Sequence, residues 1–191
     1  MANERRKEDE VTALRSGLIL ASLVVGALSV MPAGSAAAAE EGTVNALASW
    51  QGQGRVFKTG DKQALFVGGF VGVFFVENDQ GALHAARILC PGSLDIDLET
   101  GAQSGEGRCI ITARGGDRVF ARWTCSGAHF KGCGGRFTLT GGTGKFQGIT
   151  GESLFVVKSA LHELAPGSTS DEVREQAAGL AVWPELRYRI P

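Results

Sequence analysis

No run of basic residues occurs beyond Arg5-Arg6-Lys7, and the 19 lysines and arginines of the sequence are balanced by 20 aspartates and glutamates. Nucleic-acid binders concentrate positive charge on one face, so a near-neutral chain argues against nucleic acid as a partner. The usual marks of metal and nucleophile chemistry are missing too. There is no Cys-x-x-Cys pair for a zinc site and no second histidine to complete His-Glu-x-x-His at His162. No Gly-x-Ser-x-Gly elbow occurs, and Cys125 to His129 lacks the spacing of haem attachment. Neither a metal nor a cofactor is expected. Also missing between Trp50 and Ser159 is the 3.6-residue apolar period of a helix.

The front of the chain reads as an address. Arg5, Arg6, Lys7 and Arg15 precede an apolar stretch, SGLILASLVVGALSVM, then Pro32 and the small-residue run AGSAAAAE. Basic, apolar and small-residue regions in that order make a secretory signal, with an Ala-x-Ala site at Ala36-Ala37-Ala38. The rival is an uncleaved anchor, since 16–39 carries no charge. The expectation is a signal peptide over 1–39, a periplasmic or secreted mature chain, and membrane contact only through that segment if it is retained. Removing its four basic and four acidic residues from 19 and 20 leaves 15 and 16, still near neutral.

All four cysteines, Cys90, Cys109, Cys125 and Cys133, lie in the mature part. An even count in an exported domain implies two disulfides with three possible connectivities. Cys125–Cys133 with Cys90–Cys109 is preferred, because the first pair closes the shortest loop.

What is present instead is a chain of strands and glycines. In ALFVGGFVGVFFVE the even positions read Phe66, Gly68, Phe70, Gly72, Phe74, and the odd positions are apolar as well. Large–small alternation suits the interior of a closed barrel, and two apolar faces imply that both are covered. In LDIDLET the carboxylates Asp95, Asp97 and Glu99 alternate with Leu94, Ile96 and Leu98, the pattern of a half-buried strand. GRCIITARGGDRVFARWTC reads as a hairpin whose loop is Gly115-Gly116-Asp117. That loop sets Cys109 opposite Trp123, Ile111 opposite Ala121 and Ala113 opposite Val119, with Arg108, Arg114, Arg118 and Arg122 on the other face. Strands are expected at 49–58, 63–77, 82–90, 94–100, 106–114, 117–125, 134–140 and 152–159. They make an eight-stranded antiparallel β-barrel over 46–160, in an all-β fold. After Pro166-Gly167, STSDEVREQAAG reads as a short C-terminal helix capped by Ser170 and ended by Gly179. The tail to 191 carries Trp183 and Tyr188 and is expected to pack on the outside of the barrel, with subunit contact as the competing cover.

LTGGTGKFQGITG, from Leu139 to Gly151, invites comparison with a phosphate cradle. A P-loop needs glycine at 139 and a hydroxyl residue at 146, where this chain has Leu139 and Phe146. The next segment, with Leu154-Phe155-Val156-Val157, reads as a strand and not as the helix that phosphate binding requires. Gly141, Gly142, Gly144, Gly148 and Gly151 are therefore read as shaping a strand-to-strand turn.

The segment FTLTGGTGKFQGITG resembles the GGTGxFxxxxG signature of the allene oxide cyclase and dirigent barrel superfamily, in which it joins two late strands of an eight-stranded barrel. The resemblance implies an apolar cavity that orients a reactive ligand: a fatty-acid epoxide in the cyclases, phenoxy radicals in the dirigent proteins. From the residues themselves, Phe66, Phe70, Phe74 and Trp123 are the candidate cavity lining. Glu106 and Glu152, near strand ends, are the carboxylates available as general acid or base. The favoured reading is a non-catalytic exported barrel that binds a small apolar molecule or works through its surface, with a homo-oligomer as a further expectation. Its alternatives are an isomerase or cyclase using the same cavity, and an envelope-associated structural protein with a filled barrel.

Overall fold

A computed structural model of the protein describes residues 39–78 and 81–191. The expected signal segment, 1–39, lies outside the described residues but for Ala39. Eight strands follow one another around a closed barrel. They are β1 (Glu40–Gly60), β2 (Gln63–Val76), β3 (Ala86–Asp97), β4 (Ala102–Thr112), β5 (Arg118–Ala128), β6 (Gly132–Gly142), β7 (Thr150–Pro166) and β8 (Glu172–Ile190). Each pairs antiparallel with the next, and β8 closes the circle on β1.

Period-two patterning puts one set of side chains inside. Along β2 the even residues, from Ala64 through Phe70 and Phe74 to Val76, face inward, and Val67, Val71 and Val73 face out. The outer valines stay 38–50 % exposed, so the apolar outer face is not covered by the described residues. One end of the barrel is packed solid. Trp183 lies against Phe74 at 5.2 Å and Phe137 at 5.4 Å, and its ring stacks on Phe155. Ile88, Ile111 and Val119 complete this layer without exposed surface. The glycine-rich connection from β6 to β7 seals the same end: it forms a short 3-10 turn at Gly144–Phe146 and buries Phe146 and Ile149. Gly144 and Gly148 take φ of 55° and 75° there, a region costly for residues with a Cβ.

Several expectations are corrected. The C-terminal helix does not form; its residues from Glu172 onward enter β8, pairing with β1 and β7 on either side. Local helix propensity is worth tenths of a kcal/mol per residue, and two full ladders outweigh it. Trp183 accordingly lies inside the barrel and not over it. The expected strands 82–90 and 94–100 are one strand, β3, which runs through Pro91-Gly92, so β8 makes up the count of eight. In the β4–β5 hairpin the observed pairs are Cys109 with Ala121, Ile111 with Val119 and Gly107 with Trp123, two residues away from the expected register. The loop is Arg114–Gly116, since Ala113 N–H donates to Asp117 C=O at 2.9 Å. An even slip preserves which face each residue occupies, so the arginines still point outward.

Cys90–Cys109 ties β3 to β4 and Cys125–Cys133 ties β5 to β6, the preferred pairing. Two disulfides fit an oxidising extracytoplasmic compartment.

Candidate functional site

The other half of the interior is hollow, and glycine is the reason. Gly52, Gly68, Gly92, Gly105 and Gly107 occupy inward positions where a barrel of this size ordinarily places bulk. The rings that remain lie flat over these notches. A Cβ on Gly107 would stand 2.6 Å from Trp123 Cε2, and one on Gly68 would stand 2.6 Å from Phe66 Cζ. The space left is a cavity of about 120 Å³ lined by Trp50, Phe66, Phe70, Trp123 and Phe155, with Cys90, Cys125 and Cys133 in its wall. A dry cavity of about 150 Å³ accepts a benzene ring. This one is of ring size.

One end of the cavity is polar. Glu175, from β8, is 6 % exposed and stands between two imidazoles. His162 Nδ1 lies 3.0 Å from Glu175 Oε1, and His129 Nε2 lies 3.4 Å from Glu175 Oε2. The second contact is an ion-pair distance without hydrogen-bond geometry, so Glu175 Oε2 has no donor among the described residues. On its other side His129 Nδ1 meets Gln103 Oε1 at 3.2 Å, and Gln103 Nε2 donates to the Gly132 carbonyl at 3.4 Å. The amide of Gln103 thus presents its oxygen to His129, whose Nδ1 carries the hydrogen. Phe130 packs its ring against both imidazoles, 4.1 Å from His129 and 4.9 Å from His162. Burial holds the His129 imidazole below its ordinary value; Glu175 pulls it back up, and His162 adds to the lowering.

Sequence position explains how these residues meet. His129 and Phe130 sit in the β5–β6 turn, where Phe130 takes φ of 65° and the Cys125–Cys133 bond holds the hairpin. His162 comes after a register shift in β7 between Ser159 and Leu161. Before that bulge the odd residues Phe155 and Val157 point inward; after it the even residue His162 does. Glu175 keeps the inward phase of Ala177, Ala181 and Trp183.

Of the expected lining, Phe66, Phe70 and Trp123 border the cavity, and Phe74 belongs to the packed end. Glu106 lies on the outer face of β4, and Glu152 pairs with Arg136 at 2.8 Å with both side chains about 60 % exposed. Neither approaches the cavity. The polar cluster of Gln103, His129, His162 and Glu175 has no local signature, because four elements contribute one residue each. The one available signal was Glu175 itself, a carboxylate in phase with Ala177, Ala181 and Trp183. Among the described residues no group of three ligating side chains is arranged to hold a metal ion. What the arrangement offers is a buried carboxylate held between two imidazoles at the end of an apolar chamber.

Fold and site together define a closed antiparallel barrel with a partly hollow interior. No protein-family model matches this chain, and no curated protein matches it either.

Proposed function

We propose that the barrel is an exported binder of a small, largely apolar, ring-sized molecule, which it holds in the interior cavity. The observation that carries this reading is the glycine-floored cavity of about 120 Å³ beside an end that is fully packed. The inward glycines let the Trp123 and Phe66 rings sit close against the wall and so leave the centre of this half of the barrel open. The resemblance of Phe137–Gly151 to the allene oxide cyclase and dirigent signature supports a cavity-based role. Orientation of the ligand by the cavity walls, without bond making by the protein, is sufficient for it. The apolar segment 16–31 and the two disulfides support export.

Titration of the non-reduced protein with toluene, followed by tryptophan fluorescence, tests this. Saturable quenching is expected, because Trp50 and Trp123 line the cavity. Gly92→Leu, whose side chain would collide with Trp123 and drive the indole into the cavity, should abolish it. Toluene that fails to saturate the native protein removes the proposal.

A second reading, contact between copies of the chain, has its own observation. Leu47 lies opposite Val182, Val182 opposite Val156, and Ser49 opposite Val73, so β7, β8, β1 and β2 share an apolar outer strip. Sedimentation of native protein against Val71→Lys distinguishes the two. Identical monomeric profiles exclude the contact.

A further inference from the structure

We infer that the barrel docks on a membrane surface bearing anionic phospholipid, through the outer face of β3, β4 and β5. The contact is separate from the cavity and holds whether or not a ligand fills it.

Strand register builds this face in rows. Leu89 on β3 lies opposite Ile110 on β4, and Ile110 lies opposite Phe120 on β5, so three apolar side chains cross the sheet in one outward row. Leu89 is exposed, and Ile110 and Phe120 are half-buried. Gly141, opposite Phe120 on β6, has no side chain to cover it. Arginines stand two residues along the strands, about 7 Å to either side. In one row Arg87 and Arg118 both pair with Thr112; in the other Arg108 lies directly opposite Arg122. Arg114, in the β4–β5 turn, adds a fifth, and all five are exposed.

None of these five has an ion pair among the described residues, whereas Arg55, Arg136, Arg187 and Arg189 each have a carboxylate partner. Glu106 lies on the same outer face, opposite Thr124, and Asp117 turns to the β6–β7 connection, where its carboxylate accepts from the Lys145 N–H at 3.5 Å. The face is therefore positive on a chain that is neutral overall. Like charges directly opposite each other destabilise a sheet, and an anion between Arg108 and Arg122 removes that cost. Guanidinium groups match phosphate oxygens in geometry as well as charge. A phospholipid surface sets phosphates beside acyl chains, so it meets the arginine rows and the apolar row together. A soluble polyanion would meet the arginines alone and leave Leu89, Ile110 and Phe120 in water. A second copy docked through the same face would set arginine against arginine.

Vesicle flotation of protein recovered from the soluble fraction after export tests this. Vesicles of phosphatidylcholine alone are compared with vesicles in which about a third of the lipid is phosphatidylglycerol. The native protein should float with the anionic vesicles only, and raised salt should release it, because exposed charges are screened beyond about 8 Å at physiological ionic strength. Arg108→Gln with Arg122→Gln should weaken the binding about thirtyfold, the factor for two arginines at an anionic surface. Phe120→Ser should weaken it about tenfold and leave the salt dependence as it was. Should the first variant not fold, Arg87→Gln with Arg118→Gln reads the other row. Equal flotation with both kinds of vesicle, or with neither, makes the inference wrong. So does an arginine variant that binds anionic vesicles as tightly as the native protein. If heparin binds and the anionic vesicles do not, the face reads soluble polyanions and the membrane contact is refuted.

Discussion

Trp123 owes its position to two atoms that are absent. Gly107 and Gly92 present bare backbone to its indole, and a Cβ on Gly107 would meet Cε2 at 2.6 Å with the Pro91 carbonyl closing the other side. The carbonyl cannot give way without moving a strand. Gly107→Ala is therefore expected to cost about 1–3 kcal/mol by overpacking. It should also push the indole into the cavity and weaken toluene binding; a urea melt and a fluorescence titration of the same sample would show both. His129 makes a second prediction at this scale. Its folded-state value lies below the ordinary 6.5, with burial as the main cause. On acidification the unfolded chain takes up that proton first, so the stability it contributes is complete above about pH 6.5 and declines as pH falls through the folded value. The urea midpoint should drop between pH 8 and pH 5, and less steeply in His129→Gln. Equal slopes in the two proteins would refute burial of His129 as the origin. At this scale the sequence was only half legible. Phe66, Phe70 and Trp123 declared themselves by alternation, but Glu175 is hidden inside EVREQAAG, where charge and alanine mimic a helix. His162 is hidden by the bulge, which reverses the inward phase that the preceding residues establish.

Hairpins are the units that carry the site. The β5–β6 hairpin brings His129 and Phe130 to the cavity mouth, and Cys125–Cys133 pins its strands diagonally, with Cys125 opposite Gly135 and Cys133 opposite Gly127. Replacing both cysteines with alanine should lower stability by about 2–4 kcal/mol. The amides of His129 and Lys131, bonded to Gly101 and Ala128, should then exchange faster with solvent than those of mid-strand residues. Unchanged exchange at the turn would mean that the aromatic contacts among Phe130, His129 and His162 suffice to hold it. Strand existence was readable here, and strand extent was not. Pro91-Gly92 looks like a break between two short strands because proline lacks an N–H, yet Pro91 points outward and β3 continues through it. The hairpin of β4 and β5 was legible with its faces correct and its register off by two, since glycines in a turn leave the position of a three-residue loop open.

Across the whole molecule, closure is the dominant fact. β1 and β8 are matched over seventeen residue pairs, from Glu40 with Ile190 to Phe57 with Glu172. A chain ending at Pro166 would leave β1 and β7 as long free edges around a wet interior. Such a truncation is expected to lose cooperative unfolding and tryptophan burial altogether, as circular dichroism and fluorescence melts would report. The phenylalanine–glycine alternation of β2 announced a closed barrel correctly even while the closing strand read as a tail, because interior taper is a property of every strand and not of the last one.

The seam also orders the pieces in time. Ribosomes deliver the chain from its first residue, and the strand bearing Glu175 is delivered last. Seven strands with most of the hydrophobic lining are then already made, but without the eighth they enclose nothing. At that stage Glu175 is not yet beside His162, and no wall closes the interior. Only when the final strand of 19 residues docks against both edges does the interior become a chamber. A closed chamber is thus a mark of completion, present in finished molecules and missing from every partial one.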